Sequence, residues 1–132
     1  MMQILLITHG DVGNALMQAA EQALGQLPLP MQVVKVQQDV QPDHIITELR
    51  PITQALKAGD GLLILTDIYG ATPSNIAVKL QNSQQIRVIT GLNLPMLIRV
   101  LNYPTLSLDE LAAKAVSGGK DGIILCNEET GC

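Results

Sequence analysis

The chain has no tryptophan and no phenylalanine, and only Tyr69 and Tyr103 as aromatics among 132 residues. Modules that read single-stranded nucleic acid stack bases on exposed rings, so this class is disfavoured from the start. A net charge of −4 points the same way, because phosphate backbones attract basic faces. Cysteine is also scarce. Cys126 and Cys132 lie in and just after the last apolar run, at a spacing that fits no common zinc or redox motif. Two cysteines beside one terminus make a poor disulfide framework, and the expectation is one core thiol and one tail thiol. No apolar stretch approaches the ~20 residues of a membrane span. Met1-Met2-Gln3 lacks the basic start of a signal peptide, so a cytoplasmic protein is expected.

What is present is aliphatic. Apolar residues make up 47% of the chain, which argues for a globular fold. The length suits a single domain, residues 1–132, whose core is built from Leu, Ile, Val, Ala and Met.

Ile4-Leu5-Leu6-Ile7-Thr8-His9-Gly10 is an aliphatic run that stops at one histidine and one glycine. It reads as a strand buried on both faces. From Asp11 to Leu24 the apolar residues fall three and four apart, a helix closed by Gly25, with Pro28 and Pro30 beyond it. Met31 to Val36 reads as a strand. Pro42 opens a second helix with Asp43 at its positive end, and Pro51 inside it predicts a kink or a break. Gly61 to Asp67 repeats the grammar of the first strand. Thr72 is expected as N-cap and Pro73 as the first residue of a third helix. Ile86 to Thr90 is a fourth strand ended by Gly91, and Asn93 caps a short helix through Val100. Ser107-Leu108-Asp109-Glu110 is a capping box, and Ser117 to Gly122 reads as a turn cluster. Ile123-Ile124-Leu125 is read as a last short strand. Strands alternating with helices imply an α/β fold with a mostly parallel sheet and right-handed crossovers.

Three strand ends carry polar groups: Thr8-His9-Gly10, Thr66-Asp67 and Thr90-Gly91. In a parallel sheet they share one edge, where open α/β sheets bind ligands. If the first and third strands are neighbours, Asp67 can accept from one imidazole nitrogen of His9 and leave the other lone pair free. A nucleophilic or phosphate-accepting histidine needs that arrangement. Gly70-Ala71-Thr72-Pro73 then opens a helix whose free N–H groups suit a phosphoryl group, with the Thr72 hydroxyl beside them. A lone histidine or a lone aspartate at a strand end carries little meaning, and their joint placement is what selects them. His44 reads as a solvated helix-start residue, Asp11 as a partner of the helix dipole, and Met17, Met31 and Met96 as packing. Gly10-Asp11-Val12-Gly13 lacks the spacing of a dinucleotide fingerprint.

Thr8-His9-Gly10, Asp67-Ile68-Tyr69-Gly70-Ala71-Thr72-Pro73-Ser74-Asn75 and Gly91-Leu92-Asn93-Leu94-Pro95-Met96-Leu97 together resemble the mannose-family enzyme IIA domains of the bacterial phosphoenolpyruvate-dependent sugar phosphotransferase system. The resemblance covers nearly the whole chain. It implies a doubly wound sheet of four parallel strands in order 2-1-3-4. A fifth, antiparallel edge strand at Ile123 to Leu125 would be exchanged between the subunits of a homodimer, with Gly118-Gly119 as hinge. It implies that His9 accepts a phosphoryl group from the histidine-containing phosphocarrier protein HPr and passes it to a IIB domain. Asp67 would orient His9, and Thr8, Gly70, Ala71 and Thr72 would bind the phosphate. No cofactor, metal or nucleic acid is implied, and a membrane only indirectly, through a transporter complex. Tyr69 stands where an aromatic, often Trp, is usual, and Ala71-Thr72 where Gly-Ser is common, which keeps the hydroxyl. With no IIB domain attached, a stand-alone regulatory IIA is an equal expectation. Two rivals stay open: a phosphocarrier domain serving dihydroxyacetone kinase, and a non-catalytic binding module switched by phosphorylation.

Overall fold

The computed structural model describes residues 1–132. In chain order the elements are β1 (Met2–His9), α1 (Val12–Leu24), β2 (Met31–Val36), α2 (Pro42–Gln54), β3 (Gly61–Thr66), α3 (Thr72–Leu80), β4 (Ile86–Ile89), α4 (Leu94–Leu101) and α5 (Leu108–Asp121). The four strands pair in parallel, as the alternation of strands and helices predicts, in the order β2-β1-β3-β4 that the family resemblance implies.

The aliphatic runs are buried on both faces because each face carries helices. Ile4 and Leu6 of β1, with Leu63 and Leu65 of β3, pack against Ala20 of α1, Leu97 of α4 and Leu111 of α5. Leu5, Ile7, Leu62 and Ile64 point the opposite way, onto Ile46 and Leu49 of α2 and Ile76 and Leu80 of α3. The alternation follows from the two-residue period of a strand. All six residues of β3 are buried, so it is the central element of a three-layer α/β/α domain. Met96 is buried, and Met17 and Met31 pack against the α1/α4/α5 core, as their packing role predicts.

Four sequence expectations are corrected. Pro51 does not break α2, which runs on to Gln54. The proline sits in the last turn on the exposed side, so only one internal hydrogen bond is forfeited, and the Ala55 N–H closes the turn onto the Pro51 carbonyl at 3.0 Å. At α3 the N-cap is Ala71, Thr72 and Pro73 are the first two helical residues, and no side chain caps the end. Ser117 to Asp121 is helix rather than turn. Gly118 and Gly119 are buried against α4, where a Cβ on Gly118 would lie 2.5 Å from Arg99 Cβ and one on Gly119 3.0 Å from Met96 Cε. Their smallness lets two helices approach, so they are no hinge. Finally, Ile123 to Leu125 forms no strand within the chain, and the three side chains are 78%, 61% and 86% exposed. The fifth edge strand is therefore absent from this sheet.

Cysteine also departs from expectation. Cys126 and Cys132 are bonded to each other across six positions. Cys126 is no core thiol because the run before it never enters the sheet.

Candidate functional site

The parallel sheet brings the ends of β1 and β3 side by side, with Ile7 in register with Thr66. His9 and Asp67 therefore emerge at the same edge. The His9 Nδ1–H donates to Asp67 Oδ2 at 2.9 Å, and the His9 backbone N–H donates to the same oxygen at 3.0 Å. The Ile68 N–H donates to Oδ1 at 3.1 Å. With three donors around it, the carboxylate is fixed in position and is only 11% exposed, while the imidazole is 46% exposed. A proton held on Nδ1 by a carboxylate leaves the Nε2 lone pair bare. Nδ1 faces protein and the ring is open to solvent, the polarity a nucleophilic histidine requires.

His9 opens onto a cleft of about 480 Å³ lined also by Gly10, Val36, Gln37, Gln38, Val40, Pro42 and Thr72. Thr72 supplies an exposed side chain in the first turn of α3. The N–H groups of Thr72 and Ser74 donate to nothing within the chain, whereas the Ala71 N–H closes a turn onto the Ile68 carbonyl at 3.4 Å. Two free first-turn N–H groups and the positive end of the helix favour an anion there. Gly70, at φ +81°, makes the left-handed turn that aims the chain into α3, and it lines a neighbouring groove with Tyr69.

Thr8 is placed differently. It lies on the opposite face of the strand from His9, is fully buried, and its Oγ1 accepts the Gly13 N–H at 2.8 Å. It ties the strand end to α1, and a Cβ on Gly13 would fall 2.9 Å from that oxygen. The structure thus gathers His9, Asp67 and Thr72, sets Gly70 and Ala71 in the connecting loop, and turns the Thr8 hydroxyl inward. Sequence reasoning missed Ser74, whose Oγ donates to the Ala71 carbonyl at 2.9 Å and fastens the loop to the helix. It also missed Gly13, whose spacing five residues after Thr8 was the available signal. His44 is exposed, as read. Asp11 pairs with Lys35 at 2.5 Å, so it serves a side chain of β2 as well as the end of α1.

Elsewhere, the N-terminal ammonium beside Asp60 holds its carboxyl below the ordinary value, helped by the Lys57 N–H. Hydrogen bonds from the Ser107 hydroxyl and N–H lower Glu110. No group of three or more Cys, His, Asp or Glu is arranged to hold a metal ion, and no helix is long and apolar enough to cross a membrane.

Residues 3–116 match the family described as the fructose IIA component of the phosphotransferase system, "EIIA-man". The mannose-specific EIIAB component of Escherichia coli strain K12 is 30% identical over 123 residues, which are 91% of this chain and 38% of that protein. The chain thus spans well under half the length of that relative. The sorbose-specific EIIA component of Lacticaseibacillus casei is 28% identical, with 85% of this chain and 81% of that protein covered. Among solved structures, the mannose/sorbose-specific IIA subunit from Enterococcus faecalis superposes with a TM-score of 0.81 at 27% identity, covering 95% of this chain and 93% of that one. The phosphotransferase component EIIA of Streptococcus agalactiae shares the fold at a TM-score of 0.83 and 24% identity, covering 98% and 99%. A match over most of the domain, with His9 and Asp67 joined at the edge of a 2-1-3-4 sheet, makes this chain a member of the mannose-type enzyme IIA family of the phosphotransferase system.

Proposed function

We propose that the chain is a cytoplasmic phosphohistidine carrier. His9 Nε2 attacks the phosphorus of a phosphohistidine on the phosphocarrier protein HPr. A new P–N bond forms to His9, the P–N bond to the donor imidazole breaks, and its electron pair returns to the donor ring. The same exchange then runs toward a histidine on a IIB domain, for sugar uptake and phosphorylation, or the phosphorylated chain acts as a stand-alone regulator. The observation that carries this reading is the 2.9 Å contact from His9 Nδ1 to Asp67 Oδ2. It fixes the reactive tautomer, and the carboxylate gains strength against the ring as positive charge develops on phosphorylation. The free N–H groups of Thr72 and Ser74 and the Thr72 hydroxyl are the proposed cradle, since phosphoryl transfer asks the protein mainly for position and charge stabilisation. Gly70 and Ala71 set that cradle, and Thr8, with its hydroxyl turned inward, holds the end of β1 behind His9 to α1. The test is incubation with phosphoenolpyruvate, enzyme I and HPr. One acid-labile, alkali-stable phosphoryl group per chain is expected, and none in His9→Ala. Label that persists in a folded His9→Ala protein refutes the assignment.

The same reading includes a homodimer in which Ile123 to Leu125 pairs with the free edge of the partner's β4. Two features support it: three exposed aliphatics in the tail, and a groove of about 690 Å³ beside β4 lined by Tyr69, Val78 and Val88. An unpaired strand edge is a template for another strand, and exchange of a segment is a low-cost route to a dimer. Light scattering should give the dimer mass, and deletion of residues 123–132 the monomer. A dimer that survives the deletion removes the tail from the interface.

A further inference from the structure

The last seven residues, Cys126-Asn127-Glu128-Glu129-Thr130-Gly131-Cys132, form a closed ring that no part of the phosphocarrier reading uses. Every residue from Asp121 onward is exposed. The Cys126–Cys132 bond joins no two elements of the fold, so it contributes nothing to holding helices on the sheet. A bond that closes so short and exposed a loop is of the labile rather than the structural kind.

The loop is nonetheless built to bring the two sulfurs together. Asn127 Oδ1 accepts the Glu129 and Thr130 N–H groups at 2.9 and 3.0 Å. The Asn127 N–H donates to Thr130 Oγ1 at 2.9 Å, and the Thr130 hydroxyl donates to the Asn127 carbonyl at 3.1 Å. The Gly131 N–H donates to that same carbonyl at 3.2 Å. Gly131 then turns with φ +74°, a left-handed conformation that favours glycine. The two Cα atoms end 5.3 Å apart, inside the range a disulfide needs. None of these five hydrogen bonds uses sulfur, so reduction removes none of them directly. Asn side chains that bond their own backbone two and three residues on are strong local turn formers.

We infer that Cys126 and Cys132 are a thiol–disulfide exchange site for low-molecular-weight disulfides of the glutathione class. One cysteine thiolate attacks a sulfur of the incoming disulfide, forms a mixed disulfide and expels one thiolate. The second cysteine thiolate attacks the protein sulfur of that mixed disulfide and expels the other. The chain loses two electrons and two protons, and the small disulfide becomes two thiols. The turn makes the second step intramolecular, so the mixed disulfide is short-lived and the ring is the product.

The test uses the full chain equilibrated in glutathione buffers of graded oxidised-to-reduced ratio, quenched with acid, alkylated and weighed intact. The dithiol should give way directly to the ring, with the glutathione adduct never the major species. Cys132→Ser should instead stop at a glutathione adduct on Cys126. Asn127→Ala, which removes the turn but neither sulfur, should need a roughly tenfold more oxidising buffer to close the ring. The urea midpoint of the oxidised and reduced chains should agree. A persistent mixed disulfide in the unaltered chain, covalent dimers as the main product, or an unchanged midpoint in Asn127→Ala each overturn the proposal. So does a large loss of stability on reduction, because the bond would then be a structural staple.

Discussion

Asp67→Asn isolates the charge of the carboxylate from its shape. In the native site Oδ2 accepts two His9 donors and Oδ1 accepts the Ile68 N–H. An amide has only one acceptor oxygen. Placed at the Oδ2 position, that oxygen keeps both His9 bonds but sets its NH₂ against the Ile68 N–H. Flipped, it keeps Ile68 but presents donors to the His9 N–H and to Nδ1, which would force the bare nitrogen to the wrong side of the ring. Each orientation loses one backbone hydrogen bond, and the second also exchanges the reactive tautomer for the wrong one, so any flipped population adds to the loss of rate. What disappears in both is the charge. A cation about 4 Å from a carboxylate gains on the order of 4 kcal/mol at an effective dielectric of 20. The imidazole is 46% exposed, so solvent screening trims this to roughly 3 kcal/mol, of which the transition state realises most. The expected fall in the rate of His9 phosphorylation is about 10², since each ~1.36 kcal/mol is tenfold, which is the scale of one preorganised electrostatic contact. Rapid-quench labelling measures it, with circular dichroism as fold control. A folded variant within a few-fold of the unaltered rate would take Asp67 out of the mechanism.

Three further outcomes are expected. Gly118→Ala should destabilise the domain by about 1–3 kcal/mol through overpacking against Arg99, read from urea unfolding. Unchanged stability would mean that α4 yields at Arg99 and that close packing does not require glycine there. Thr66→Val should leave stability unchanged or raise it, because Thr66 Oγ1 is buried without a hydrogen-bond partner and an apolar isostere removes that desolvation cost; a clear drop in melting temperature would mean that the hydroxyl is bonded in solution. Glu110 is held below its ordinary value by Ser107, so it adds stability above the unfolded-state value of 4.5 and loses it as pH falls through the lower folded value. Ser107→Ala should flatten the fall of the urea midpoint between pH 5 and the acid limit, and an unaltered slope would show that the capping box is not the source.

β2 and β4, which carry Gln32, Lys35 and Arg87, gave the weaker signal of half-exposed edge strands, whereas the central β1 and β3 were legible as nearly pure aliphatic runs that end in a polar residue. Burial on both faces demands that composition, and few other environments tolerate it. His9 and Asp67 were legible for the same reason: a polar group that ends such a run can only sit at the sheet edge. The capping box at Ser107 and the Asn93 cap were local and were read correctly, since Asn93 Oδ1 accepts the Met96 N–H at 2.9 Å and Ser107 and Glu110 satisfy each other. Tertiary contact decided the rest. Gly118-Gly119 looks like a turn on local propensity, yet the close approach of α4 makes it a helix interior, because only a hydrogen fits against Arg99 and Met96. Pro51 looks like a breaker, yet α2 continues because Leu49 and Thr53 on either side of it are buried. Thr8 looks like a site residue from its place beside His9, but strand alternation sends it to the opposite face, where the Gly13 N–H takes its oxygen. Ile123 to Leu125 has the composition of a strand, and composition cannot supply a neighbour. A strand exists only where another strand's N–H and C=O groups meet it, and within one chain no edge does.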